Sequence, residues 1–163
     1  MNINNMVIVG MADLKVVKTP GVLTTLGLGS CVGIALYDPI SKVSGLAHCM
    51  LPDSTQISNN GTAAKFVDTA TSKLILEMQK LGANKNLIKA KVAGGAQMFA
   101  FNSTNDLMRI GDRNVEATIK VLAALRIPII AKDTGSTYGR TVELYSETGA
   151  FVIKTIGHGN KTI

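Results

Sequence analysis

The sequence predicts an α+β domain in which helices cover one side of a mixed sheet. Three observations carry this reading. Several apolar runs of strand length are closed by Pro or Gly turn signals. Two segments instead repeat their apolar residues at helical spacing. The chain is 46% hydrophobic and 17% charged, enough to build a core from Val, Ile, Leu, Ala and Met although Trp is absent and aromatics are 4%. With 163 residues and no repeat, linker or low-complexity tract, one domain spanning 1–163 is expected.

Met6 to Lys15 and Val22 to Leu26 read as strands. Val32 to Asp38 is an apolar run closed by Pro39, and Val43 to Leu51 is a second run closed by Pro52-Asp53; the intervening Ser41-Lys42 makes the pair a hairpin. Asn59-Asn60-Gly61-Thr62 is a loop, with Thr62 placed to cap a helix. From Ala63, the residues Phe66, Val67, Ala70, Leu74, Met78 and Leu81 recur on one helical face, and Gly82 stops the helix. Leu87 to Ala93 is a strand running into Gly94-Gly95. Asp112 opens a second helix with Val115, Ile119, Leu122 and Leu125 facing inward, and Pro128 marks its end. Ile127 to Ala131 is a strand, and Arg140 to Tyr145 with Ala150 to Ile156 form a hairpin around Ser146-Glu147-Thr148-Gly149. Gly157-His158-Gly159-Asn160 reads as a mobile surface segment.

The formal net charge is +6, which suits an acidic partner. The lysines are dispersed and lack interleaved aromatics, so nucleic-acid binding is not expected. No apolar run approaches the roughly 20 residues of a membrane span, so no membrane insertion is expected. The first residues lack the basic start and apolar block of a signal peptide, so the expected location is cytoplasmic. The two cysteines there are expected to be thiols.

The chemistry concentrates in Thr25-Leu26-Gly27-Leu28-Gly29-Ser30-Cys31, with His48 seventeen residues beyond the cysteine. A glycine-rich bend delivers Cys31 to the mouth of one strand, and His48 lies in the next. A thiol and an imidazole on neighbouring strands are the minimum equipment for thiol-dependent acyl transfer. Backbone N–H groups around Ser30 and Cys31, with Gly29 allowing close approach, would stabilise an oxyanion. The plain alternative for Cys31 is a small buried hydrophobe, and for His48 a packed core residue. Consecutive strand residues face opposite ways, so Cys49 points away from a site that His48 enters and belongs to the core. The group orienting the imidazole is Thr24 or Thr25; if residues 25 to 31 are extended, Thr25, Gly27, Gly29 and Cys31 share a face.

Other motifs fall short. Gly27-x-Gly29 lacks a third glycine at Val32 and leads into a strand, so it is no dinucleotide fingerprint. Gly94-Gly95 has no Lys-Ser/Thr pair to complete a phosphate cradle. Asp133-Thr134-Gly135-Ser136 is half of an aspartic-protease site, which needs two carboxylates. A zinc site from Cys31, His48, Cys49 and His158 is disfavoured because His48 and Cys49 diverge. No metal and no cofactor are expected.

Taken together, Thr25 to Val32, Leu46-Ala47-His48-Cys49-Met50-Leu51-Pro52-Asp53, Val92-Ala93-Gly94-Gly95-Ala96-Gln97-Met98-Phe99, Ile110-Gly111-Asp112-Arg113-Asn114-Val115 and Lys132-Asp133-Thr134-Gly135 resemble the signature blocks of the CheD family of chemoreceptor glutamine deamidases. The similarity runs from about residue 6 to residue 156. It implies a mixed β-sandwich with helices packed on one side, similar to the catalytic domain of cytotoxic necrotizing factor toxins. It implies Cys31 as nucleophile, His48 as base and Thr25 as the histidine-orienting hydroxyl. The implied reaction is that of a protein-glutamine glutaminase: His48 takes the thiol proton, the ion pair favours thiolate, and a thioester forms and is hydrolysed. The implied substrates are glutamines on the cytoplasmic helices of chemoreceptors. The implied partner is CheC, a phosphatase of phosphorylated CheY that would occupy the same site. Phe99 and Phe101 are the expected partner contacts. The alternatives are a non-catalytic module regulating CheC and a thiol esterase acting on receptor methyl esters.

Overall fold

The computed structural model describes residues 5–56, 62–98 and 109–163. Phe99 and Phe101 lie outside the described residues. Among the described residues, ten strands form two five-stranded mixed sheets, one ordered β1-β3-β8-β9-β10 and the other β2-β5-β4-β6-β7. The strands are β1 (Met6–Ile8), β2 (Asp13–Lys18), β3 (Val22–Leu28), β4 (Val32–Asp38), β5 (Val43–Cys49), β6 (Lys89–Gly94), β7 (Ile129–Thr134), β8 (Arg140–Tyr145), β9 (Phe151–Thr155) and β10 (Gly159–Thr162). The helices are α1 (Val67–Lys80) and α2 (Ile110–Ala124).

Two apolar layers organise the molecule. Leu23, Leu28, Val142, Leu144, Phe151 and Ile153 of the first sheet meet Ala35, Leu46 and Ala93 of the second. The other face of the second sheet, with Ile34, Leu36, Ala47, Cys49 and Val92, packs on Val67, Ala70, Leu74 and Met78 of α1 and Leu122 of α2. The helices therefore cover one side, and the second sheet is buried on both faces. That is why β4 and β5 are apolar almost without alternation and buried at every residue.

The β4–β5 hairpin forms as expected, paired from Val32↔Cys49 to Asp38↔Val43. Its turn is held by Asp38, whose carboxylate accepts from the N–H groups of Ile40 and Asn84 at 2.9 and 2.8 Å. Strand β5 stops at Cys49, and Leu51 makes only an isolated bridge to Phe66.

Several expectations are corrected. Met6 to Lys15 is two strands in different sheets: β1 runs parallel to β3, and β2 runs antiparallel to β5. The chain crosses between sheets at residues 9–12, where Ala12 takes a positive φ of 56°. Thr62 makes no side-chain cap; a short 3-10 turn at Ala63–Lys65 precedes α1, which starts at Val67. Helix α2 starts at Ile110, and its buried face is Gly111, Asn114, Thr118 and Leu122, while Ile119 is 39% exposed. The cause is close contact at the first turn: a Cβ on Gly111 would run into the carbonyl oxygens of Ala96 and Gly95, so only glycine lets the helix dock with this face inward. The chain beyond Gly157 forms β10 against β9, and His158 stacks on Tyr138 with ring centroids 4.1 Å apart.

Strand β3 carries a one-residue bulge between Thr25↔Val142 and Leu28↔Arg140, with Gly27 at φ 69°. The bulge overturns the expectation that Thr25, Gly27 and Gly29 share a face. It returns Leu28 to the inner face occupied by Leu23 and leaves Leu26 61% exposed.

Candidate active site

His48 lies on the sandwich face of β5, 1% exposed, between Leu46 and Met50, which pack in the layer between the sheets. Thr25 lies on the facing sheet and is fully buried. Its Oγ1 sits 2.7 Å from His48 Nδ1 and donates its one hydrogen to the carbonyl of Val9, also at 2.7 Å. A carbonyl only accepts, so the threonine proton is spoken for, and Nδ1 must be the donor toward Thr25. The network thus assigns the tautomer: Nδ1 carries the proton, and Nε2 presents a lone pair. Nε2 is buried and has no hydrogen-bond partner among the described residues. Thr24 does something else, donating to Val142 O at 2.8 Å.

The crossing segment locks this arrangement. Val9 receives the Thr25 hydroxyl and donates its own N–H to Thr24 O at 2.7 Å, while Ala12 N–H donates to His48 O at 3.0 Å. The link between β1 and β2 is therefore the floor under the imidazole. Reading Met6 to Lys15 as one strand hides it.

Cys31 immediately precedes β4. In the register Gly33↔His48, it falls on the same face as His48, one diagonal step along the ladder. Its side chain packs in the layer between the sheets, and the residue is 9% exposed. No hydrogen bond joins its sulfur to Nε2, since Nε2 has no partner. Contacts of this kind are often long without substrate. Burial raises the thiol's pKa against an opposing pull from its own N–H, and burial lowers that of His48. Both shifts favour the neutral forms, thiol and imidazole. Burial thus works against the thiolate–imidazolium ion pair that the resemblance implies, because desolvation disfavours two separate charges.

The bend before Cys31 is held by its carbonyls. Gly29 O accepts from Ala96 N–H at 2.8 Å, and Cys31 O from Gly95 N–H at 2.9 Å. Ser30 O accepts from Asn114 Nδ2 at 2.9 Å. Gly94 is at φ 103°, and a Cβ there would collide with Cys31 O. The Gly94-Gly95 pair is thus a close-packing device beside the cysteine. Met98 lies over Gly29, its Cγ 3.3 Å from where a Cβ would be.

Cys49 is fully buried in the helix-facing layer, and burial, with Cys31 and Asp68 adding repulsion, raises its pKa strongly. His48 and Cys49 thus point to opposite faces, as alternation requires. Asp133 is no catalytic dyad member. Its carboxylate meets Arg140 Nε at 3.0 Å and Lys161 Nζ at 2.7 Å. Burial would raise its pKa, but these two cations outweigh that and hold it below the usual carboxylate range.

Sequence reading missed Asn114. It is fully buried on α2, and its Nδ2 donates to both Ser30 O and Met50 O. The apolar spacing concealed it, because that spacing turns Val115 and Ile119 inward rather than Asn114.

Among known proteins, residues 50–155 match the family model described as CheD chemotactic sensory transduction. The probable chemoreceptor glutamine deamidase CheD of Caldanaerobacter subterraneus subsp. tengcongensis is 61% identical over 155 residues, covering 95% of this chain and 96% of that one. That of Lachnoclostridium phytofermentans is 57% identical over 158 residues, covering 97% and 98%. The chemoreceptor glutamine deamidase CheD of Halalkalibacterium halodurans is 52% identical over 161 residues, covering 98% and 99%. The crystal structure of Bacillus licheniformis hypothetical protein YfiH aligns with a TM-score of 0.50 at 17% identity. That alignment covers 77% of this chain and about half, 51%, of the other, and speaks to the fold alone.

Proposed function

The chain belongs to the CheD family, and on that premise we propose that it is a chemoreceptor glutamine deamidase working through a covalent thioester on Cys31. The observation that carries the mechanism is the Thr25–His48 contact at 2.7 Å, which leaves the Nε2 lone pair free on the face shared with Cys31.

A receptor glutamine side chain enters beside Cys31. Nε2 of His48 takes the thiol proton as sulfur attacks the amide carbon. The tetrahedral oxygen is met by backbone N–H groups at Ser30 and Cys31, whose neighbouring carbonyls are turned toward Ala96, Asn114 and Gly95; one such donor contributes about 3 kcal/mol. Imidazolium returns the proton to the departing nitrogen, and ammonia leaves. His48 then takes a proton from water, which attacks the thioester carbon; the C–S bond breaks, the sulfur regains its proton, and glutamate is released. Because the resting pair is neutral, charge separates only as the tetrahedral species forms, where the oxyanion donors are waiting.

On the receptor, a neutral amide becomes a carboxylate, adding like-charge repulsion to a helical bundle and biasing its signalling equilibrium. The net charge of +6 favours approach to an acidic bundle. Action on cytoplasmic receptor helices places the protein in the cytoplasm; no helix among the described residues is long and apolar enough to cross a membrane. Competition by CheC for the same notch belongs to this proposal, as does kinship in fold with the toxin catalytic domain. The same thiol would also open a receptor methyl ester, because the acyl-enzyme is common to both reactions.

The test is incubation with a receptor cytoplasmic fragment and mass spectrometry at single glutamines. Native protein converts specific amides to acids, and Cys31→Ala does not. Conversion that persists in Cys31→Ala overturns the assignment.

A further inference from the structure

We propose that Asn114 is a positioning residue that ties the nucleophile's loop to the base's strand; this rests on the thioester reading above. The β4–β5 ladder ends at Val32↔Cys49. Just beyond it, where Cys31 and the end of the histidine strand must still be kept in register, no backbone pairing continues. The tie there comes from α2. Nδ2 of Asn114 donates one hydrogen to Ser30 O at 2.9 Å and the other to Met50 O at 3.0 Å. Ser30 directly precedes Cys31, and Met50 lies two residues past His48. A single primary amide therefore spans the two chain segments that carry sulfur and imidazole.

The local energetics fit a positional role better than a stabilising one. Asn114 is fully buried, and its Oδ1 has no hydrogen-bond partner among the described residues. A buried, unsatisfied acceptor is costly, and asparagine is a poor residue for a helix interior. A branched apolar side chain of similar shape would avoid both penalties. What it would lose is the pair of N–H donors. The rest of the inward face of α2, Gly111, Thr118 and Leu122, makes no such bridge: Thr118 Oγ1 bonds within the helix to Asn114 O at 2.8 Å.

The experiment compares full-length native protein with Asn114→Leu, Asn114→Asp and Thr118→Val. Two readouts are taken: steady-state deamidation of a receptor fragment, and the rate at which iodoacetamide alkylates Cys31 at alkaline pH, read on the Cys31 peptide. Asn114→Leu should melt near the native temperature, keep KM within about twofold, and lose about 10- to 100-fold in kcat, the scale of a small misplacement of reacting groups. Its Cys31 alkylation should speed up by more than about threefold, because a freed loop exposes a thiol now buried between the sheets. Asn114→Asp keeps the shape, replaces donors by acceptors and should lose at least as much kcat. Thr118→Val should stay near native in both readouts. The proposal is overturned if folded Asn114→Leu keeps kcat and alkylation within about threefold of native, or if its loss appears in KM. It is equally overturned if both Asn114 variants fail to fold while Thr118→Val folds, which would make the residue a folding determinant. The alkylation readout is independent of deamidation, so continued turnover by Cys31→Ala would sink the thioester reading while the Asn114 coupling is still scored.

Discussion

Thr25 and His48 belong to different sheets, yet Oγ1 of one and Nδ1 of the other stand 2.7 Å apart across the sandwich. The contact orients an imidazole held in one layer by a hydroxyl held in the other. Thr25→Val keeps the shape and removes the acceptor, leaving Nδ1 and Val9 O unpaired in the core. We expect kcat to fall by about 10²-fold or more as the tautomer is freed, with a stability loss of about 1–3 kcal/mol. Thr25→Ser should retain most of the activity. Deamidation kinetics, urea titration and nitrogen NMR of the imidazole check this; an unchanged tautomer in Thr25→Val would contradict it.

The two cysteines should separate cleanly. Cys49 packs on the helix side, away from His48. Cys49→Ala should cost about 1 kcal/mol, the scale of one buried methyl, and leave kcat near native. Denaturant midpoints and turnover, measured on the same samples, decide it; loss of activity in a stable Cys49→Ala protein would contradict the opposite-face arrangement.

The neutral resting pair has a pH signature. Burial pushes the Cys31 thiol above its ordinary 9.0, against the pull of its own N–H. Burial pushes His48 below its ordinary 6.5. The acid limb of kcat/KM should therefore lie below pH 6.5, because the free base persists there. Alkylation of Cys31 without substrate should rise only at alkaline pH; a thiolate titrating near neutrality would restore the ion-pair picture.

The same shift links to stability. His48 binds its proton less readily folded than unfolded, so between its folded pKa and 6.5 the unfolded state holds more protons. Stability should be unaffected by this group above pH 6.5 and fall as pH drops through that window. His48→Gln should flatten that part of the melting-temperature profile, and an unchanged slope would count against it.

Gly94→Ala tests the brace behind Cys31. A methyl group there would meet Cys31 O, and the backbone is at φ 103°. The variant should lose about 1–2 kcal/mol from the backbone conformation alone. The shifted cysteine loop should cost about 10²-fold in kcat. Activity at native levels in a folded variant would show that the loop does not depend on this contact.

The sequence by itself determined the parts governed by neighbours along the chain. The β4–β5 hairpin is legible from two apolar runs bounded by Pro39 and Pro52, and strand alternation alone sends His48 and Cys49 to opposite faces. Helix α1 announces its buried face through its spacing. Tertiary structure decided the rest. Nothing local in Met6 to Lys15 marks the crossing between sheets, because both halves have strand character and only the partner strands differ. The bulge at Leu26-Gly27 overrode alternation to seat Leu28 in the core. The inward face of α2 was set by the backbone at Gly95 and Ala96 against Gly111, which hydrophobic periodicity does not register. The imidazole's partner and the Asn114 bridge arise from residues 23 and more than 60 positions apart. Periodicity reports which face a side chain takes; what it touches there is fixed only when separate layers close on one another.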